Sequence, residues 1–315
     1  MMVQISVMKL MRSPQMNKEL IVIAGPTAVG KTGLSIAIAL KLKTEIISAD
    51  SRQMYKELTI GTGIPSPEEL AQVKHNFIHS ISIYDYYNAS KYENEVNLLL
   101  DKLFLDHDRV ILCGGSGLYI DAVCKGIDSL PEIDSEIREK VQQQFENEGI
   151  ESLRKDLLKL DPASYNKIDL NNYKRIQKAL EISLITGKPY SSFLTSPKKK
   201  RTYNIKKIAL DMNREELYRK INSRVNEMME NGLIEEAKSL YPHRKINALN
   251  TVGYKELFNF FEGKCNLEEA VTKIQSNTHN YARKQLTWFR KDQNYKWFHP
   301  SEYEKIMSFI IDRKL

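Results

Sequence analysis

The chain has 315 residues, of which 42% are hydrophobic and 28% charged, a composition typical of a globular protein that can hold two domains. Its formal net charge of +7 suits a polyanionic partner such as RNA, and no apolar run suggests a membrane span. The three cysteines, Cys113, Cys124 and Cys265, lack metal-binding spacing. They argue against zinc sites and disulfides and predict a reduced, cytoplasmic protein.

The N-terminal stretch from Met1 to Asn17 does not predict a secretory signal. Lys9 and Arg12 interrupt its apolar residues, and it has no small-residue cleavage site. Met16 is an alternative start.

A phosphate-binding loop follows the first predicted strand. Glu19–Ala24 is an apolar run typical of a buried strand, and the Ala-rich run Lys31–Leu42 is typical of a helix. Between them lies the pattern G-x-x-x-x-G-K-T, whose glycines let backbone N–H groups reach phosphate oxygens at a helix N-terminus. The threonine hydroxyl at its end suits Mg²⁺, so Thr32 is the predicted metal ligand. The residues predicted to bind a diphosphate are Gly25, Pro26, Thr27, Ala28, Val29, Gly30, Lys31 and Thr32.

Further strands are predicted at Glu45–Ala49, Arg109–Cys113 and Lys207–Asp211. With the intervening helices they predict an α/β fold, a P-loop NTPase-like doubly wound parallel sheet. Ligands of such sheets bind outside the carboxyl ends of the strands, which assigns Asp50 and Ser116 to the phosphate site. An ordinary P-loop ATPase carries an aspartate for Mg²⁺ at the end of an apolar strand, but Cys113-Gly114-Gly115 takes its place here.

Asp50 is the remaining carboxylate, and the segment Ser51-Arg-Gln-Met-Tyr55 after it predicts a pocket for an acceptor base. Asp50 would take a proton, while Gln53 and Tyr55 would hydrogen-bond or stack on the base. Two alternatives remain open, namely that Asp50 is a helix cap or turn residue and that Tyr55 is a core residue.

The middle of the chain predicts a helical insertion domain, because it is highly charged and has no strand-like runs. Leu130–Asp134 and Leu160–Pro162 are typical of helix starts, and Ser196–Arg201 is typical of an exposed loop. The predicted organisation is a first core part at 18–125, the insertion at 126–200, and the core completion with C-terminal helices at 201–315.

One helix is predicted from Arg214 to Leu240, with an apolar row that includes Leu217 and Ile221. Arg224 lies at the edge of this row, away from the solvated face, so its charge needs a partner. A ligand contact and a structural ion pair with a carboxylate both meet that need.

Two clusters of basic and aromatic residues predict an RNA surface. One is Tyr173–Lys178 in the insertion, and the other is Thr278–Gln285, followed by Trp288, Phe289 and Arg290. Such residues suit phosphate contacts and base stacking. The alternative for each cluster is a solvated helix face.

Several segments carry a family resemblance. They run in family order at Gly25–Thr32, Ser48–Tyr55, Gly61–Thr62, Gly114–Tyr119, Val252–Tyr254 and Tyr281–Arg290. The chain resembles the tRNA dimethylallyltransferases, also called tRNA isopentenyltransferases. The phosphate-binding loop is shared with many enzymes, whereas the Asp-Ser-x-Gln-x-Tyr segment and the C-terminal segment together are close to diagnostic.

The resemblance implies a reaction. A dimethylallyl group would pass from dimethylallyl diphosphate to N6 of the adenosine 3′ of the anticodon in tRNA, releasing diphosphate without ATP hydrolysis. The implied catalytic residues are Thr27, Arg224 and Asp50. Thr27 would contact the leaving group, Arg224 would reach the donor diphosphate, and Asp50 would take the amine proton. Mg²⁺ is the implied cofactor. The anticodon stem-loop of tRNA and the donor are the implied partners, and we expect a monomer that does not bind membranes.

The resemblance also implies a tRNA-binding set, with the insertion embracing the anticodon stem-loop. The set is Asp50, Ser51, Arg52, Gln53, Ser116, Arg138, Lys174, Arg175, Ile176, Gln177, Lys178, Asn250, Thr251, Val252, Gly253, Tyr254, Thr278, His279, Asn280, Tyr281, Ala282, Arg283, Lys284 and Gln285.

The chain departs from the family pattern near the predicted tRNA contacts. Ser116 stands where threonine is usual, Gly63-Ile64 where Ala-Lys is common, and His75-Asn76 where paired histidines are common. The Thr278 segment lacks an arginine after the threonine, and Arg283-Lys284 reverses the usual order. The donor residues are unaffected by these changes.

Three other functions fit part of the sequence. A P-loop kinase of a small metabolite would need ATP and would use Asp50 to activate a hydroxyl. An adenylate isopentenyltransferase would act on a free nucleotide and have less use for the basic C-terminal segment. An RNA-binding protein with an inactive loop would not need Lys31, Thr32 and Asp50 together.

Overall fold

The computed structural model describes residues 18–128, 130–131, 134–195 and 199–312. Its strands are β1 (Glu19–Ala24), β2 (Ile46–Ser48), β3 (His75–Asn76), β4 (Arg109–Gly114), β5 (Asn204–Leu210) and β6 (Tyr295–Phe298). Its helices are α1 (Lys31–Leu42), α2 (Pro67–Gln72), α3 (Ala89–Asp106), α4 (Gly117–Lys125), α5 (Ser135–Glu148), α6 (Ile150–Leu160), α7 (Pro162–Tyr165), α8 (Tyr173–Thr186), α9 (Arg214–Glu230), α10 (Leu233–Leu240), α11 (Tyr254–Phe261), α12 (Leu267–Arg290) and α13 (Tyr303–Ile311). The predictions for Met1–Asn17, for Glu132 and Ile133 and for Ser196–Lys198 lie outside the described residues.

The strands of the described chain form one parallel sheet in the order β3-β2-β4-β1-β5-β6. The central strand β1 is buried along its whole length, as expected for a parallel strand covered on both faces. The carboxyl ends of β1, β2 and β4 meet at one edge, where Ala24, Ser48 and Gly114 pass into loops. The predicted α/β fold with a doubly wound parallel sheet is confirmed, and ligands of such sheets bind at this edge.

Helices cover both faces of the sheet. On one face, Ile38 of α1, Ile221 of α9 and Ile310 of α13 belong to an apolar cluster with Ile21 of β1. On the other face, α3 and α4 pack against the sheet around the fully buried Tyr92. The two clusters hold the phosphate-binding loop between rigid elements.

A third apolar cluster joins α10, α11 and α12 to the segment after β2. It contains Leu233, Tyr254 and Ile274 together with Tyr55 and Leu58. Tyr55 is thus a core residue, and the predicted base-stacking role for its ring is wrong.

The predicted single helix from Arg214 to Leu240 is wrong in one respect, since the structure has two helices there. The break lies at Asn231 and Gly232, where Gly232 adopts a left-handed conformation with φ of 96°. Glycine reaches this region without a Cβ clash, so the chain turns there. The turn buries Leu233 and Ala237 of α10 in the third cluster.

The predicted strands differ from the observed ones chiefly at their ends. The strand expected at Lys207–Asp211 is β5, which begins three residues earlier at Asn204, and the strand expected at Glu45–Ala49 is the shorter β2. The short strands β3 and β6 were not predicted. The helix predicted at Lys31–Leu42 is α1 with the same bounds.

The chain divides into two compact units. One takes in the described residues up to Cys124 and from Lys200 onward, and the other is Lys125–Lys199, against a predicted insertion at 126–200. The second unit packs α5, α6 and α8 around a core that includes Val141, Leu157 and Ile176. Asp134 and Asp161 cap the starts of α5 and α7, which confirms the helix starts predicted there.

No helix in the described part of the chain has the length and apolar character needed to cross a bilayer.

Candidate active site at the phosphate-binding loop

A cavity of about 910 Å³ opens at the carboxyl edge of the sheet. The phosphate-binding loop lines it with Thr27, Lys31 and Thr32, and the segment after β2 lines it with Asp50 and its neighbours. Arg224 of α9 and residues from the α12 segment complete the wall. Predicted donor and acceptor residues therefore share one space within the first unit.

The backbone of the loop has the conformations that its glycines permit. Gly30 has φ of 98° at the start of α1, and Gly25 has φ of 155°. A Cβ on Gly25 would lie 3.0 Å from the Leu210 carbonyl oxygen, so the loop passes β5 too closely for a larger residue. Ala28 adopts φ of 63° without being glycine, which marks a strained turn in the loop.

Lys31 is partly buried beneath the loop, and its Nζ donates to the Pro26 carbonyl oxygen at 2.7 Å. Burial lowers the pKa of Lys31 to about 8, while the electrostatic effects of Cys113 and Asp50 oppose the shift. An anion in the loop would raise the pKa of this amine again, because a nearby opposite charge favours the protonated form.

Arg224 crosses the cavity to the loop. Its Nη1 donates to the Thr27 hydroxyl at 3.1 Å, and its Nη2 donates to the Gly63 carbonyl oxygen at 2.9 Å. Burial lowers the pKa of Arg224, and the nearby Asp50 carboxylate opposes that shift. Both hydrogen-bond acceptors are neutral, so the guanidinium keeps its charge available for an anion at Thr27, as the ligand-contact interpretation expects.

Gln285 of α12 fixes Thr27 from the other side. The Thr27 N–H donates to Oε1 of Gln285 at 2.9 Å, and Nε2 of Gln285 donates to the Gly115 carbonyl oxygen at 3.0 Å. The side-chain amide is buried and spans the loops after β1 and β4. Gln285 was predicted to contact tRNA, but its polar atoms already bind the protein.

Asp50 serves the local turn with one carboxylate oxygen. The N–H groups of Arg52 and Gln53 donate to Oδ1 at 2.8 and 3.3 Å, the pattern of the turn-residue alternative. Asp50 also lines the cavity and lies close enough to Lys31 and Arg224 to affect their charges. These hydrogen bonds fix the carboxylate beside the cations without using Oδ2.

The neighbours of Asp50 connect the loops around it. The Ser51 N–H donates to the Ser116 hydroxyl at 2.9 Å, and Nε2 of Gln53 donates to the Gly63 carbonyl oxygen at 2.9 Å. Nη1 of Arg52 donates to the Ala248 carbonyl oxygen at 3.2 Å. Ser116 is buried, so its hydroxyl fixes Ser51 and is not exposed to a large ligand.

The structure divides the predicted tRNA-binding residues of the first unit into two groups. The cavity is lined by Asp50, Ser51, Arg52, Gln53, Asn250, Thr251, Val252, Gly253, Thr278, Tyr281 and Gln285. Tyr254 and Ala282 are fully buried in apolar clusters, which excludes RNA contact through their side chains and corrects the prediction for both. His279 stacks on Tyr218 with ring centroids 3.9 Å apart, while Arg283 and Lys284 are exposed.

In the second unit, the predicted cluster lies on α8 and is exposed at Lys174 and Arg175. Ile176 is fully buried in the core of this unit, so its predicted RNA contact is corrected as well. Arg138 is half-exposed and forms an ion pair with Glu181, with 3.7 Å between its Nε and Oε1 of the carboxylate. Exposed and buried positions alternate along a helix, so consecutive residues such as those from Lys174 to Lys178 cannot all contact RNA.

Sequence reasoning missed two residues that organise the site. Gln285 was interpreted as an RNA contact, and Glu236 was not considered, although its carboxylate accepts hydrogen bonds from Thr59, Ile60 and Gly61. No local signal marks Gln285, because Thr27 lies 258 residues away along the chain. For Glu236, the Gly232 break before it was the usable signal, since a helix start there changes which face Glu236 occupies.

The residues of the cavity fit a magnesium ion that takes most of its ligands from a bound diphosphate. Thr32 and Asp50 offer oxygen ligands in the same cavity, the ligand type that Mg²⁺ prefers. The described residues contain no cluster of three or more histidine, cysteine or acidic side chains that could hold a metal unaided. The donor diphosphate would therefore supply the remaining oxygen ligands.

Comparison with protein families gives a match to the IPP transferase model over residues 53–292. The tRNA dimethylallyltransferase 1 of Bacteroides fragilis is 50% identical over 293 residues, covering 93% of this chain and 97% of that protein. The tRNA dimethylallyltransferase 2 of Porphyromonas gingivalis is 52% identical over 281 residues, covering 89% and 94%.

Solved structures show the same architecture. The full-length tRNA isopentenylpyrophosphate transferase of Bacillus halodurans has a TM-score of 0.68 and 34% identity, covering 93% of this chain and 95% of its own. A eukaryotic dimethylallyltransferase acting on tRNA has a TM-score of 0.75 with 24% identity, covering 95% and 81%, which supports the fold alone.

Proposed function

The chain belongs to the IPP transferase family, and we propose that it is a tRNA dimethylallyltransferase. It transfers a dimethylallyl group from dimethylallyl diphosphate to N6 of the adenosine 3′ of the anticodon. The observation that carries this proposal is the shared cavity, which is lined by the phosphate-binding loop, by Asp50 and by part of the predicted RNA-binding set, including Thr278 and Tyr281. An adenine amine at Asp50 would then face a donor whose diphosphate lies in the loop.

The residues of the chain divide the work of the reaction between its two ends. The bond between the donor C1 and its diphosphate oxygen breaks as the bond between C1 and N6 forms, and Asp50 takes one N6 proton. Lys31, Arg224 and the loop N–H groups stabilise the charge that develops on the departing diphosphate. Thr27, which Arg224 and Gln285 both bind, would contact the leaving group.

We also propose that transfer depends on Mg²⁺, with Thr32 as its protein ligand. The ion would add charge neutralisation at the diphosphate. Chelation with EDTA should abolish transfer, and excess Mg²⁺ should restore it. Full activity in EDTA would contradict this part of the proposal.

The predicted oligomeric state and location remain proposals too. We propose a monomer in the cytoplasm, in keeping with the three free cysteines and the basic charge. Light scattering on a size-exclusion column tests the first, and cell fractionation tests the second.

The decisive experiment incubates the purified protein with Mg²⁺, labelled dimethylallyl diphosphate and an unmodified anticodon stem-loop RNA, without ATP. Nuclease digestion and mass spectrometry should locate the label on N6 of one adenosine. Free AMP in place of RNA tests the adenylate isopentenyltransferase. ATP-dependent phosphate transfer without prenylation would favour the kinase.

A further inference from the structure

Glu236 of α10 lies outside the cavity wall, yet its carboxylate binds the turn that faces the donor site. Oε2 accepts from the N–H groups of Thr59 and Ile60 at 3.0 and 2.8 Å. Oε1 accepts from the Gly61 N–H at 2.9 Å and from the Tyr254 hydroxyl at 2.7 Å. One carboxylate thus receives four donors, three of them consecutive backbone amides.

The turn bound by Glu236 ends at a carbonyl that two site residues share. A hydrogen bond within the turn closes it, because the Gly63 N–H donates to the Ile60 carbonyl oxygen at 2.9 Å. The Gly63 carbonyl oxygen then accepts from Nη2 of Arg224 and from Nε2 of Gln53, each at 2.9 Å. The position of this oxygen therefore helps to set where the guanidinium points.

The turn has little room to shift on either side. A Cβ on Gly61 would lie 2.6 Å from the ring of Tyr254, and a Cβ on Gly63 would overlap the guanidinium of Arg224. Gly63 also has φ of 55°, a conformation that favours glycine. Backbone, ring and guanidinium are in close contact, so a displacement at Glu236 is transmitted to Arg224.

We propose that Glu236 is a positioning residue for donor binding, which fixes the 59–63 turn so that Gly63 holds Arg224 against the phosphate-binding loop. This inference rests on the proposed function in that Arg224 is taken to bind the donor diphosphate. Glu236 touches neither substrate and acts through the turn.

The variant Glu236→Gln tests the role with almost no change in shape. An amide has one acceptor oxygen, so its NH₂ group must face either the N–H groups of Thr59 and Ile60 or the N–H of Gly61. Tyr254 can reverse its hydroxyl, but a backbone N–H cannot. At least one N–H of the turn therefore loses its partner.

Two measurements follow the effect to the donor site. Isothermal titration with inorganic pyrophosphate should show that Glu236→Gln weakens binding roughly tenfold, the effect of a lost charge-assisted hydrogen bond. Transfer assays should show the KM for dimethylallyl diphosphate rising and kcat falling, with the KM for RNA unchanged. Gly63→Ala, which displaces Arg224 directly, should do the same, and Tyr254→Phe should have a smaller effect.

Glu235→Gln is the matched control, because Glu235 is the exposed neighbour on the same helix. It should leave both measurements unchanged. Unchanged pyrophosphate affinity and donor KM in Glu236→Gln, with weakened binding in Gly63→Ala, would overturn the inference. A loss of thermal stability alone, with normal affinity in the folded fraction, would overturn it too. Absence of transfer by the unmodified protein would refute the proposed function, whereas the pyrophosphate titration would still decide the role of Glu236.

Discussion

Asp50 holds a local turn together, and in the proposed reaction the same carboxylate acts as the base. Its Oδ1 accepts from the Arg52 and Gln53 N–H groups, which fixes the side chain in one orientation. The same carboxylate lines the cavity near two partly buried cations, Lys31 and Arg224. A base that the backbone orients loses little entropy when its substrate arrives.

Replacing Asp50 with asparagine should separate these two roles. The asparagine oxygen still accepts from the two N–H groups, so the fold and RNA affinity should stay near normal. Loss of the base should lower kcat by roughly a hundredfold or more. Single-turnover transfer and filter binding of the stem-loop RNA measure the two effects, and a wild-type rate in this variant would refute the role of Asp50.

The lowered pKa of Lys31 predicts that donor binding depends on pH. Below a pH of about 8 the amine of Lys31 is protonated and attracts the diphosphate, and above it the charge is lost in the free protein. Pyrophosphate affinity should therefore fall as the pH rises through about 8. Titrations across this range test it, with Lys31→Arg as a control that keeps its charge. A flat profile in the unmodified protein would contradict the prediction.

Among the elements, the break between α9 and α10 has the largest effect on the site. Gly232 turns the chain, α10 then packs into the third apolar cluster, and Glu236 comes to face the 59–61 backbone. A continuous helix would carry Glu236 to a different face.

The effect of replacing Gly232 on the free energy of unfolding can be compared with the effect of replacing a second glycine, Gly33. Gly232→Ala adds a Cβ in a left-handed conformation and should destabilise the protein by about 1–2 kcal/mol. Gly33 lies exposed in α1 with open space around it, so Gly33→Ala should stabilise by up to about 1 kcal/mol. Urea denaturation should show that the free energy of unfolding falls in Gly232→Ala and rises in Gly33→Ala. Equal changes in the two variants would contradict the conformational explanation.

The sequence predicted those elements whose signals are local. The bounds of α1 follow from the loop motif before it and its apolar residues, and β1 follows from a continuous apolar run. The strand β3 has two residues and no apolar pattern, so only its pairing with β2 defines it. The contact of Gln285 with Thr27 depends on tertiary packing between distant segments, which no local pattern encodes.

For the molecule as a whole, the net charge of +7 predicts that salt weakens RNA binding. Each lysine or arginine that neutralises a phosphate should contribute roughly 0.7–0.9 to the slope of log K against log salt. Arg175→Ala on α8 should lower the slope by about that amount, because Arg175 is exposed in the predicted cluster. Lys159→Ala, an exposed cation of the same unit outside the cluster, is the control. Equal slopes in both variants would contradict a phosphate contact at Arg175.

We expect the amide of Gln285 to couple the binding of the two proposed substrates. It belongs to α12, whose Thr278 and Tyr281 line the acceptor side of the cavity, and it binds Thr27 on the donor side. RNA bound at α12 would act on Thr27 through this hydrogen bond, and by reciprocity the factor by which RNA tightens donor binding equals the factor by which the donor tightens RNA binding. Pyrophosphate titrations with and without RNA measure the factor by which RNA increases the affinity for pyrophosphate. This factor should be above one in the unmodified protein and fall toward one in Gln285→Leu. A factor of one in the unmodified protein would mean that the two halves of the cavity fill independently.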